Sequence, residues 1–234
     1  MPDFCETLQG LLLFDKPAGI TSFTAVHQIK KILNVKKAGH CGTLDPAATG
    51  LLLILTGKST KLQDCFMKKD KVYRTSFLLG TATDTNDLDG AVVCKKDFSG
   101  ITADIIEKAL DNFRGEILQT PPMYSAIKHK GQKLYELARK GITVERKPRK
   151  VFIKEAKLLS YDNGTLDLRI ECSSGTYIRS IAHDLGEMIE CGAAVASLRR
   201  EKIGNYDVKD AITQKDFDDK EKIIAKIIKI EKQK

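Results

Sequence analysis

The chain is most simply bounded by what it lacks. No apolar run approaches the roughly 18 residues of a membrane-spanning helix, and charged residues make up 30% of the sequence. Its start, MPDFCETLQGLLLFDKP, places acids ahead of a short apolar stretch, whereas a secretory signal needs basic residues and a longer apolar region there. The chain therefore reads as cytoplasmic, with no membrane partner. The six cysteines, Cys5, Cys41, Cys65, Cys94, Cys172 and Cys191, form no C-x-x-C pair, which removes zinc sites of the usual spacing and leaves no metal site expected. In a reducing cytosol most should be free, buried thiols. No short repeat or low-complexity block is present.

Two motifs are incomplete. TGKST (Thr56 to Thr60) resembles the end of a phosphate-binding loop, but Leu52 occupies the position where that loop needs its first glycine. DTNDLDG (Asp84 to Gly90) resembles a calcium loop, yet Leu88 falls on a ligand position and the closing glutamate is missing. It reads as an acidic turn between strands.

The 234 residues, 42% hydrophobic, suffice for one sizeable core. Net charge is +8 and the pI about 9.1, a balance that suits a polyanionic partner. Basic residues gather at Lys128, His129, Lys130 and Lys133, at Arg146, Lys147, Arg149 and Lys150, and at Arg199, Arg200 and Lys202. Three clusters favour nucleic acid over a merely solvated surface.

Strand and helix signals interleave. GLLLFDKPAGIT reads as a buried strand over Leu11 to Phe14 ending in a turn. Thr21 to Leu33 reads as a helix, with Phe23, Val26, Ile29 and Leu33 at helical spacing. KVYRTSFLLG alternates, with Tyr73, Thr75, Phe77 and Leu79 on one face. TADIIEKALDNFRG is the clearest helix, capped by Thr102 or Asp104, with Ile105, Ile106, Ala109, Leu110 and Phe113 as its stripe. TLDLRIEC alternates with Leu166, Leu168, Ile170 and Cys172 inward. The chain then turns at Gly175 into another helix. LLLIL, after the loop at 39–50, is a buried strand or a buried helix, and periodicity does not decide which. Residues 121–150 are basic, hold one short helix near Leu134 to Arg139, and read as a projecting insertion. From Asp218 onward a Lys-rich amphipathic helix is expected, docked through Ile223, Ile224, Ile227 and Ile228. The pattern implies a mixed α/β or α+β domain.

The stretch GHCGTLDPAATG concentrates the chemistry. Pro46 drives Asp45 into an extended backbone, and Gly42 and Gly50 permit tight turns on either side. A stiff loop can hold one carboxylate in a fixed direction. Spacing alone leaves two roles evenly matched, a catalytic acid and a turn cap. Cys41, in the same loop, reads as a small packing residue rather than a nucleophile.

Five motifs in register go further: GLLLFDKPAGITS, AGHCGTLDPAATGLLLILTGKSTK, KVYRTSFLLGTATDTNDLDG, PPMYSAIKHKGQKLYELARKG and CSSGTYIRSIAHDLGEMIECGAAVASLRR. Together they resemble the bacterial TruB-type tRNA pseudouridine synthases over nearly all of Gly10 to Tyr206. The resemblance implies an α+β pseudouridine synthase fold, with a mixed, mostly antiparallel central sheet flanked by helices and a basic thumb insertion at about 124–150. It implies a catalytic domain over 1–210 and a helical tail over 211–234 in place of a full C-terminal RNA-binding domain. The implied reaction converts the T-loop uridine at position 55 of tRNA to pseudouridine after flipping the base, with no cofactor.

The resemblance also supplies roles. Asp45 is the expected catalytic aspartate, acting at the sugar carbon or as the base that starts glycal formation. Both routes need an ionised carboxylate, which burial opposes, and Arg179 is expected to pair with it. Tyr73 is expected to stack on the flipped base, with Tyr177 and Leu198 completing the pocket and His40 contacting the RNA. The tRNA T-arm is the expected partner of a monomer without an obligate protein partner. Cys41 stands where the family usually has threonine, and Ser174 replaces a commonly basic residue. A guide-dependent synthase and a non-catalytic RNA-binding protein are the lesser alternatives. The set of Asp45, Tyr73 and Arg179 argues against pure binding, which needs no oriented acid.

Overall fold

A computed structural model describes residues 8–230. Cys5 lies outside them. In chain order the elements are β1 (Gly10–Lys16), α1 (Ser22–Leu33), β2 (Ala38–His40), β3 (Thr49–Thr56), α2 (Gln63–Met67), β4 (Lys71–Leu79), β5 (Thr81–Thr83), β6 (Val92–Lys95), α3 (Ala103–Asp111) and β7 (Gly115–Gln119). They continue with β8 (Lys128–His129), β9 (Gln132–Lys133), α4 (Leu134–Ala138), β10 (Arg149–Asp162), β11 (Thr165–Cys172), α5 (Ile178–Met188), β12 (Ala193–Ile203), β13 (Tyr206–Asp207) and α6 (Lys220–Ala225). The chain divides into two compact units, one holding the residues up to Tyr73 and those from Leu198, the other Arg74–Ser197. Strands β4 and β12 each run through the boundary.

In the first unit, LLLIL is a strand. It lies in β3, antiparallel to β1 with Leu12 opposite Ile54 and Phe14 opposite Leu52. β12 joins β3 in parallel, with Arg200 opposite Gly50. β1 and β3 are apolar on both faces because both are covered. Leu12, Phe14, Leu52 and Ile54 pack under α1 with Ala25, Val26, Ile29 and Leu33. On the other face Leu11, Leu13, Leu51, Leu53 and Leu55 pack with Cys41, Phe66 and Ile203. Thr21 caps α1 by accepting from the Thr24 amide at 2.9 Å. Phe23 departs from the expected stripe and is 75% exposed. Although it stands three residues before Val26, it falls on the side of α1 that carries His27 and Lys30, away from the buried Ala25, Ile29 and Leu33.

The tail belongs to this unit. α6 is only six residues long, and Ile223 is buried in the α1 core. Beyond it the expected helix gives way to strand-like pairing: the Leu11 and Ile228 amides donate to each other's carbonyls at 2.9 and 2.8 Å. Gly10 has no room for a Cβ against the Ile227 and Ile228 chain. Phe217 stacks on Phe14 at 5.4 Å.

In the second unit the strand order is β4-β11-β10-β7. β11 shows the expected alternation, with Leu166, Leu168, Ile170 and Cys172 buried. β4 buries Thr75, Phe77 and Leu79 on one face and exposes Arg74. Thr102 caps α3; Ile106, Ala109 and Leu110 are buried, while Ile105 stays 40% exposed on the flank. The acidic turn at 84–90 does separate two paired strands, β5 and β6. The short helix of the basic segment is α4, which buries Leu134 and Leu137.

Candidate active site

Asp45, His40, Tyr73 and Leu198 belong to the first unit, and Tyr177 and Arg179 to the second. The Asp45 loop is held from below by side chains that come from distant parts of the chain. Arg200 is 1% exposed. Its Nε donates to the Leu51 carbonyl at 2.8 Å, its Nη2 to Gly42 at 3.0 Å and its Nη1 to Thr43 at 3.3 Å. The Ser22 hydroxyl donates to the Leu44 carbonyl at 3.0 Å and accepts from the Leu44 amide at 2.8 Å. Lys16 is fully buried, and its ammonium donates to Pro17, Ile20 and Pro46 carbonyls at 2.8, 2.9 and 3.2 Å. Within the loop the Ala48 amide donates to the Asp45 carbonyl at 3.1 Å. Gly42 and Gly50 take φ of +96° and +103°. A Cβ at Gly50 would run into the Arg200 main chain, so glycine is required there.

The local electrostatics follow from burial. Desolvation lowers the Lys16 ammonium to about 8; the Asp45 carboxylate pulls it back up, and the Arg200 guanidinium pushes it further down. Lys16 is thus a cation of the same unit that feels Asp45, and it keeps its charge at neutral pH. His40 ends β2 with its Nδ1 buried and without a hydrogen-bond partner. Burial, reinforced by Arg200, lowers its pKa, so the imidazole is neutral at pH 7. Burial pushes the Cys41 thiol up to about 12, which fits a packing residue and not a nucleophile. Tyr73 is 8% exposed in β4. Leu198 is half-buried in β12, one residue before Arg199, which faces Thr49.

In the second unit Tyr177 is the N-terminal flank of α5. Gln119, itself 1% exposed, holds both of its main-chain groups. The Gln119 Nε2 donates to the Tyr177 carbonyl at 3.0 Å, and its Oε1 accepts from the Tyr177 amide at 2.8 Å. Arg149 lies over the Tyr177 ring at 4.7 Å and donates to the Gly175 carbonyl. Arg179 is buried, so it is no surface arginine. Its Nη1 donates to Thr85 at 3.0 Å and its Nη2 to Tyr124 at 2.8 Å, and its Nε lies 3.6 Å from the Asp87 carboxylate. It therefore ties the acidic turn, the start of the basic segment and α5 together.

One sequence reading needs correction. The basic cluster at 199–202 is not a free cationic surface. Arg199 forms a bidentate pair with Asp15 at 3.0 and 2.7 Å, Arg200 is buried, and Lys202 pairs with Asp207 at 3.2 Å. Lys16, Ser22, Gln119 and Arg200 were not legible as site residues. The one available signal was indirect: a glycine opposite a charged residue on a neighbouring strand.

Comparisons with known proteins identify the fold and the family. A solved Cbf5–Nop10–Gar1 complex matches with a TM-score of 0.70 and 28% identity over 93% of this chain, which spans 59% of that solved chain. The fold is that of the pseudouridine synthases. Residues 30–178 match the N-terminal domain of the TruB family pseudouridylate synthases, and residues 179–229 match the tRNA pseudouridylate synthase B C-terminal domain. A tRNA pseudouridine synthase B of Endomicrobium trichonymphae is 61% identical over 223 residues, 95% of this chain and 97% of that protein. A tRNA pseudouridine synthase B of Azoarcus sp. (strain BH72) is 46% identical over 88% of this chain and 68% of its own length. The chain belongs to the TruB family of pseudouridylate synthases. It is an isomerase that converts uridine in tRNA to pseudouridine.

Proposed function

We propose that the uridine converted is the one at position 55 in the T loop, and that Asp45 carries the chemistry. The supporting observation is the way the Asp45 loop is fixed by Arg200, Ser22 and Lys16. A surface turn cap needs no such frame. The isomerisation breaks the bond from the ribose carbon to N1 and forms one to C5; the C5 proton leaves to solvent and N1 gains one. Every heavy atom of the base is retained and no oxidation state changes, so no cofactor is called for.

The base is inaccessible while stacked, so it enters the enzyme flipped. Tyr73 stacks on it and Leu198 supplies an apolar contact, at roughly 1–3 kcal/mol for a base on an aromatic ring. Tyr177 and Arg179 bind the same substrate, and the neutral His40 contacts the RNA where the base was. The catalytic domain covers 1–210, with 124–150 as a thumb on the T-arm and 211–234 as the tail. The enzyme works in the cytoplasm as a monomer without a guide RNA or an obligate protein partner. The 61% identity to a tRNA enzyme, against 28% to a Cbf5 chain, favours this over a guide-dependent reading.

The test is tritium release from C5-labelled uridine in tRNA. Release should be one equivalent per tRNA and should vanish when the T-loop uridine at position 55 is replaced by cytidine. Undiminished release from the cytidine transcript would place the target elsewhere.

A further inference from the structure

Between Asp15 and Asp64 the chain contains seven lysines and a single carboxylate, Asp45. Lys16 is buried beneath the Asp45 loop, but Lys30, Lys31, Lys36, Lys37, Lys58 and Lys61 are all exposed. We propose that the solvent face of α1, continued by these lysines, is a second RNA-binding surface that takes the phosphate backbone of the tRNA substrate. The proposal rests on the tRNA reading of the enzyme and adds a contact surface to it.

Helical periodicity puts Phe23, His27, Lys30, Lys31 and Asn34 on one side of α1, opposite the buried Ala25, Val26, Ile29 and Leu33. Twelve residues at 1.5 Å each make the stripe about 18 Å long. One end is fixed to the catalytic loop, because Ser22 both donates to and accepts from Leu44. The other end is extended by Lys36 and Lys37. The Lys37 carbonyl accepts from the Gly57 amide at 2.9 Å, which brings Lys58 alongside.

Two independent features point to RNA rather than to a solvated face. The first is charge without compensation. Among the described residues, ion pairs of this unit join Arg199 to Asp15, Lys202 to Asp207 and Lys222 to Asp216, and Lys30, Lys31, Lys37, Lys58 and Lys61 are in none of these. Cations meant only for solubility are usually interspersed with acids. The second is Phe23, 75% exposed at the end of the stripe next to the catalytic loop. An exposed ring beside a cationic track is the arrangement that stacks on bases while lysines follow the backbone.

The experiment compares tRNA binding by the unaltered chain, two double variants and one single variant across salt concentrations. Lys30→Gln with Lys31→Gln should raise the Kd for unmodified tRNA about 10-fold and reduce the salt slope by about two, one for each phosphate contact. Phe23→Ala should weaken binding several-fold with the slope unchanged. Lys209→Gln with Lys215→Gln removes two exposed lysines from the acid-rich segment 207–219 of the same unit and should leave binding as it was. An unaltered Kd and slope for the α1 pair would overturn the proposal. So would an equal loss from the Lys209 and Lys215 pair, since binding would then follow net charge and not this face. Circular dichroism melts of each variant separate lost contacts from lost fold. Binding is read independently of tritium release, so failure of the position-55 assignment would leave this result standing.

Discussion

The Asp45 loop and the turn that carries Tyr177 and Arg179 are both immobilised by polar side chains, but in opposite senses. At Asp45 the proposed catalytic residue is the thing held: Arg200, Lys16 and Ser22 bond the main chain around it. At α5 the proposed substrate-binding residue is also a holder, because Arg179 donates to the Thr85 and Tyr124 carbonyls. Gln119 then secures Tyr177 beside it. The difference predicts how damage spreads. Loss of a brace in the first unit should disturb one loop, while loss of Arg179 would disturb substrate binding and local structure together.

Arg200→Met should break the first arrangement most severely. Three carbonyls lose their donor, each at about 1–3 kcal/mol when buried, for a loss of roughly 3–9 kcal/mol, at about 2–4 °C in Tm per kcal/mol for a chain of this size. Turnover of the folded fraction should fall at least 10-fold. Gln119→Leu should cost less, roughly 2–6 kcal/mol for the two unpaired groups of Tyr177, and should lower kcat more than it raises KM. Equal losses in both variants, by thermal melts and steady-state kinetics, would erase the distinction between the two regions.

The smallest expected effect is a pH dependence from Lys16. Its folded value of about 8 lies below the ordinary 10.5, so the ammonium that braces Pro46 is lost as pH rises through 8. Single-turnover rates should decline several-fold between pH 7 and 9, and Lys16→Met should be slower throughout and lack this decline. The sign for stability is the reverse. The folded chain releases this proton before the unfolded chain does, so the Lys16 contribution to stability rises with pH between about 8 and 10.5. A flat wild-type rate profile from pH 7 to 9 would detach Lys16 from the loop's function.

Much of the fold was legible. β11 announced itself through strict alternation, and α3 through its cap and stripe. Asp45 stood out because proline and flanking glycines need a reason. LLLIL was undecidable, since a strand covered on both faces has no period to read. Phe23 matched a three-residue spacing to Val26, yet one such spacing does not decide which side of a helix is buried, and Phe23 falls with His27 and Lys30 on the exposed side. Lys16 and Arg200 were illegible for a deeper reason. A charged residue in sequence reads as solvated, and these two are buried only because carbonyls from remote loops converge on them, Thr43 and Leu51 lying about 150 positions from Arg200. The pairing of Ile228 with Leu11 closes a still longer separation that no local pattern encodes.

The central claim is that a braced carboxylate performs the isomerisation. Asp45→Asn keeps the size and the loop and removes only the charge. Single-turnover tritium release by this variant on T-loop-labelled tRNA should fall at least about 10³-fold, the scale of a lost acid–base or nucleophilic group, while tRNA binding measured in parallel stays within about threefold. Release at the wild-type rate would contradict the account.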